Sequence, residues 1–176
     1  AARLAELDRG NAGWQRDLSV SHDRVGDVLV AQGRLDAALE DFKASREIRA
    51  RLTELDRGNA GWQRDLSMSH DRVGDVLVAQ GRLDAALEAF EAGRAIAARL
   101  AELDRGNAGW QRDLSVSHSK VGDVLVAQGR LDAALEAYCT ARVILQNLLL
   151  EIPGHPVWRA DLERLERSIA GCEAAG

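Results

Sequence analysis

Cysteine, proline, lysine and long apolar runs are all scarce in this chain of 176 residues, and each scarcity excludes something. The two cysteines, Cys139 and Cys172, stand in no paired spacing such as C-x-x-C and recur nowhere else, so they read as free thiols in a reducing, cytoplasmic compartment. With only two prolines, long stretches carry no helix breaker. The longest apolar runs, such as 28–31 and 148–150, fall far short of the roughly 18 residues that a membrane span needs. No signal-peptide pattern is expected at the start. A basic excess is missing too: 23 Lys and Arg against 28 Asp and Glu give a net charge of -5, with both signs interspersed, which argues against nucleic acid as a partner. Arginine supplies 21 of the 23 basic residues, and with abundant alanine, glycine and valine this points to a GC-rich, bacterial coding sequence.

What the sequence has is a repeat. Trp14, Trp62, Trp110 and Trp158 are spaced 48 residues apart, and whole blocks travel with them. The stretches 14–61 and 62–109 differ at only seven positions: Val20/Met68, Asp41/Ala89, Lys43/Glu91, Ser45/Gly93, Glu47/Ala95, Arg49/Ala97 and Thr53/Ala101. Self-similarity at this period predicts a solenoid, in which each unit buries its apolar face against its neighbours. Residues 1–10 match 97–106 and are expected to be the end of a truncated preceding helix, as in a piece of a longer protein. Repeats follow at 11–58, 59–106 and 107–154, with a partial fourth repeat, a capping helix, at 155–176.

Within one repeat, Asn11 is placed to cap a helix starting near Ala12, and Trp14, Leu18, His22, Val25 and Leu29 form one apolar stripe, broadened by Val28. Gly26 costs such a helix about 1 kcal/mol relative to alanine, so its recurrence at Gly74 and Gly122 predicts close approach of another backbone there. Gln32 and Gly33 end the helix, and Asp36 is expected to cap the next, with Leu35 packing back as a staple. The second helix carries Leu35, Ala38, Leu39, Phe42, Ser45, Ile48, Leu52 and Leu55 on its buried side. The short turn makes it antiparallel to the first. The differing positions 41, 43, 45, 47, 49 and 53 are expected on its flanks and back, where solvent tolerates drift.

The segment V-G-D-V-L-V-A-Q-G-R-L-D-A-A-L-E-D-F, from Val25 to Phe42, resembles the tetratricopeptide repeat. It carries Gly26, Gly33, Ala38 and Phe42 at that family's offsets, and the pattern returns as Gly74, Gly81, Ala86 and Phe90, then as Gly122, Gly129, Ala134 and Tyr138. His22, His70 and His118 stand where the family has a large aromatic residue. The repeat is also longer than the family's 34 residues, by nearly two turns per helix, which predicts taller hairpins. The resemblance implies an all-α, right-handed superhelical solenoid of antiparallel helix hairpins whose first helices line a concave groove. The row facing that groove is Arg16, Val20, Asp23, Asp27 and Ala31, then Arg64, Met68, Asp71, Asp75 and Ala79, then Arg112, Val116, Ser119, Asp123 and Ala127. The resemblance implies a peptide or protein segment as partner, and the row's aspartates favour a basic one.

Other constellations are bland. Ser21, His22 and Asp23 spell a triad, but helix neighbours diverge by about 100° and cannot form a relay. The repeated histidines have no ligating side chain on their own face, so a metal is not expected. Asp8 to Ser19 lacks calcium ligands at Gly10, Ala12 and Ser19. The tryptophans read as core. The expectation is thus a non-catalytic interaction scaffold with no cofactor, the alternatives being a self-associating or spacer array, or a regulatory repeat segment of a larger signalling enzyme.

Overall fold

A computed structural model of the chain describes residues 11–175, so the expected helix end at 1–10 lies outside the described residues. Among these residues there are seven α-helices and no strand: α1 (Ala12–Ala31), α2 (Leu35–Leu55), α3 (Ala60–Ala79), α4 (Leu83–Leu103), α5 (Ala108–Ala127), α6 (Leu131–Glu151) and α7 (Pro156–Ala175). No helix among the described residues is long and apolar enough to cross a membrane. The chain divides into two compact units, the first ending at Ile96 and the second starting at Ala97. In the first, α2 packs between α1 and α3; in the second, α6 packs between α5 and α7.

Local chemistry fixes where each helix starts and stops. Asn11, Asn59 and Asn107 each accept the main-chain N–H of the tryptophan three residues on, at 3.0–3.1 Å, satisfying one open amide of the first turn. At the start of α7 His155 takes that role, its Nδ1 accepting from Trp158 N at 3.4 Å while its ring stacks on the indole at 3.9 Å. Inside each hairpin the chain turns through a left-handed glycine, with φ of 71° at Gly33 and Gly81 and 73° at Gly129. Arg34 N then donates to Leu29 O and Gly33 N to Val30 O, both at 2.9 Å, which closes the last turn and leads straight into α2. That geometry corrects the expectation for Asp36. The cap residue of α2 is Arg34, and Asp36 lies within the first turn, accepting a hydrogen bond from Gln80 Nε2 at 2.8 Å.

The core of each hairpin is a small residue facing a ring. Ala38, Ala86 and Ala134 are fully enclosed. A Cβ added at Gly26 would lie 2.6 Å from Phe42 Cε1, and Gly74 faces Phe90 and Gly122 faces Tyr138 in the same way. This corrects the expectation of a neighbouring backbone: what approaches each glycine is an aromatic ring, for which the glycine is the floor.

Three further expectations are corrected. Leu55 and its copy Leu103 end their helices exposed rather than on the buried stripe, because the chain leaves the helix at the next residue. Val25 and Val28 are 49% and 56% exposed, whereas the copies Val73 and Val76 are 2% and 3% exposed. The difference is one of neighbours: α3 packs on α2 of the preceding hairpin, while α1 has no preceding helix among the described residues. Finally, the differing positions of α2 do not all face solvent, since Arg49 is buried, as is Ser45 in keeping with its place on the apolar stripe.

Candidate functional site

The outward row of the first helices can be built up pair by pair. In the first unit α1 and α3 run side by side and are tied at both ends of the row. Arg16 Nε donates to Asp65 Oδ2 at 3.2 Å, and Arg72 Nη1 donates to Asp27 Oδ1. Arg72 also lies over the Phe42 ring, 5.4 Å from its centroid, so one guanidinium joins α1, α2 and α3. Between the two ion pairs sit Val20, half-buried, and Met68, 45% exposed. Ala31 and Ala79 continue the row outward, both exposed.

Asp23 is different. The expectation that it lies away from the buried face is corrected: it is 7% exposed and bound to a buried cation from α2. Arg49 Nη2 donates to Asp23 Oδ2 at 2.6 Å, Nη1 to Ser69 Oγ at 2.7 Å and to Asp65 O at 3.2 Å, and Nε to Ser19 Oγ at 3.3 Å. A charge this far from water persists only when paired and fully hydrogen-bonded. The guanidinium fork meets that condition for itself, though the second carboxylate oxygen of Asp23 has no partner among the described residues.

The other row residues are engaged as well. Arg64, Asp71 and Asp75 take part in polar or charged contacts. In the second unit, Arg112 reaches Asp161 of α7 at 2.9 Å, repeating the tie of Arg16 to Asp65 with the same separation in sequence. Ser119 Oγ donates to Ser115 O at 3.1 Å. Asp123 accepts from the Tyr138 hydroxyl at 2.7 Å, and burial together with that carboxylate holds the phenol well above its ordinary pKa. Val116 is half-buried. In the first unit the row is thus a surface of matched charges around an apolar centre rather than a bare acidic strip.

The triad residues diverge. Ser21 Oγ donates to Asp17 O, His22 Nδ1 lies 2.7 Å from Asp41 Oδ1, and Asp23 is held by Arg49. Only the first hairpin has an acid at position 41, so His70 lacks that partner. Burial, reinforced by the positive charge of Arg46, lowers its pKa to about 4 and keeps its ring neutral. Of the tryptophans, Trp158 is buried and Trp14, Trp62 and Trp110 are half-buried. Among the described residues no three His, Cys, Asp or Glu side chains come together as a metal site would require.

Arg49 was invisible as a site residue in the period alone, whereas Arg72 stands in the sequence beside the aspartates as a cation placed to neutralise them. The repeat gives no consistent signal for Arg49: it becomes Ala97 in the second hairpin with the aspartate kept as Asp71, and Leu145 in the third with Ser119.

No family model matches the sequence, and neither does any curated protein. Among solved structures the chain is similar to a de novo designed helical repeat protein, at TM-score 0.42 and 14% identity over 99% of this chain and 88% of that one. It is also similar to the MamA protein, at TM-score 0.30 and 17% identity over 90% of this chain and 93% of that one.

Proposed function

We propose that this chain is a non-catalytic interaction scaffold that holds a peptide or protein segment against the outward faces of its first helices, within a larger protein. The observation that carries this reading is the surface of the first unit: exposed Met68 beside Val20, bracketed by the Arg16–Asp65 and Asp27–Arg72 pairs. An apolar centre inside a charged rim is the anatomy of a protein interface, and methionine adapts its shape to a partner. The rim charges are already matched within the chain, so a segment with apolar anchors flanked by mixed charge suits the face better than a purely basic one.

Selecting binders from a displayed peptide library against the intact chain tests this. Met68→Glu is expected to weaken selected peptides at least tenfold with helicity unchanged, and Asp27→Lys, Asp75→Lys or Asp123→Lys to weaken those carrying basic residues. Binders indifferent to all four changes would remove the reading.

A second reading, self-association of the array, draws on Val25 and Val28. These are exposed on α1, although the same valines are covered in both later hairpins. Light scattering across a concentration series separates it from a monomeric binder.

A further inference from the structure

The second unit contains a cleft that has no part in the outward row. It opens where the last turns of α4 and α6 meet the first turns of α5, and its volume is about 320 Å³. Its lining includes the aliphatic side chains of Ala101, Leu114, Ile144 and Leu148, together with Glu102 from the end of α4, Glu151 from the end of α6, and Arg105. Both carboxylates are exposed, and neither makes a hydrogen bond or ion pair among the described residues. Gln111 is held in place, its Nε2 donating to Ala101 O at 2.9 Å.

Three arguments give the sign of the ligand. Two carboxylates against one guanidinium leave the rim negative. The C-terminal ends of α4 and α6 each bring the equivalent of about half a negative charge, against one positive N-terminus from α5. One of that N-terminus's amides is already satisfied by Asn107. The sequence adds a third argument: where the first two hairpins carry Arg51 and Arg99 the third has Asn147, and where they carry Leu55 and Leu103 it has Glu151. Over 147–153 as a whole the two arginines and two acids of the earlier copies are gone and one new acid, Glu151, is added, which leaves this helix end one charge more negative.

We infer that the cleft between the ends of α4, α5 and α6 binds an aliphatic ammonium group, with the alkyl stem against the aliphatic side chains and the charged head at Glu102 and Glu151. The size suits such a ligand, since pockets for small molecules start at roughly 300 Å³. A long amphipathic cation buries its stem while its head stays at a wet rim. The same chemistry is offered by a free alkylamine and by a lysine side chain of a bound peptide.

The test is a titration of the full chain with hexylammonium, followed by amide chemical shifts in two-dimensional NMR at neutral pH. Saturable shifts confined to Ala101, Gln111, Asn147, Leu148 and Glu151 are expected, with hexanoate producing none at equal concentration. Glu102→Gln with Glu151→Gln together is expected to weaken binding at least tenfold and leave the remaining spectrum in place; both side chains are exposed, so folding is not at stake. Titration with a capped Gly-Gly-Lys-Gly-Gly peptide separates the sources. Tighter binding of the peptide assigns the cleft to a partner's lysine, and tighter binding of the free amine assigns it to a small molecule. Linear shifts without saturation, equal shifts with hexanoate, or an affinity unchanged by the double substitution would each overturn the inference.

Discussion

Arg49 on α2 donates to Asp23 on α1 across 2.6 Å in a place where both side chains are almost wholly enclosed. Because the pair is buried, its two halves are worth far less apart than together. Arg49→Ala leaves Asp23 charged and unpaired and is expected to destabilise the chain by about 3–5 kcal/mol. The third hairpin shows how the same position is filled without charge, by Ser119 with the buried Leu145. The double substitution Asp23→Ser with Arg49→Leu is therefore expected to recover most of the loss, ending within about 1.5 kcal/mol of the starting protein, since a buried ion pair replaced by well-packed groups is often neutral. Urea denaturation of the two variants checks both halves; equal destabilisation by the single and double changes would mean that the pair does not act as a unit.

The glycine under each ring makes a second test. Alanine in place of Gly74 gains about 1 kcal/mol in helix propensity, but its Cβ would stand 2.5 Å from Phe90 Cε1, deep inside normal contact distance. The ring is itself buried and has no open side to move to. Overpacking of this kind costs about 1–3 kcal/mol, so Gly74→Ala is expected to lower the melting temperature in spite of the propensity gain. Adding Phe90→Leu to that variant, which removes the ring edge, is expected to shrink the cost of the alanine. Thermal melts followed by circular dichroism decide the matter.

How far the sequence speaks for itself depends on the range of the interaction. The asparagine caps and the glycine turns are set by residues three to five apart, and the period displays them three times over; the ring over each glycine is not displayed, because small size alone does not tell an approaching ring from an approaching backbone. Asp23 shows where that ends. By spacing it shares a face with Arg16, Val20 and Asp27, yet a cation 26 residues away on another helix draws it into the interior. Asp36 fails for a related reason: the glycine turn satisfies the end of α1 so compactly that α2 begins before the aspartate can cap it. Identical valines in identical contexts, such as Val25 and Val73, cannot reveal which of them has a neighbour.

Histidine offers a pH test. The pKa of His70 is lowered from 6.5 to about 4, by burial first and by Arg46 second. Above pH 6.5 the ring is neutral whether the chain is folded or not, and its contribution to stability is fully present. As the pH falls from 6.5 toward 4, the unfolded chain takes up a proton that the folded chain refuses, so stability is lost across that window and the loss levels off below it. Replacing His70 with Gln removes the titrating group. The difference in melting temperature between the parent and His70→Gln is expected to shift against the parent between pH 6.5 and 4 and to be flat from 7 to 8. A constant difference over the whole range would show that the ring is protonated as easily in the fold as in water.

The valines that the period cannot distinguish give the most direct comparison of burial with sequence. Val28 and Val76 occupy the same position in consecutive repeats, with the same residues on either side, yet one is 56% exposed and the other 3%. Lysine at 28 meets water, so its cost is expected to stay within about 0.5 kcal/mol, as for ordinary surface changes. Lysine at 76 must lodge an ammonium between α3 and its neighbours, and about 3 kcal/mol or more is expected to be lost. The same pair of variants bears on self-association. If the open valines of α1 join copies of the chain, Val28→Lys dissociates the oligomer at unchanged helicity, whereas a chain that is monomeric at every concentration before and after the change leaves that face without a role in assembly. Denaturation and light scattering on one set of samples thus separate what the face contributes to folding from what it contributes between molecules.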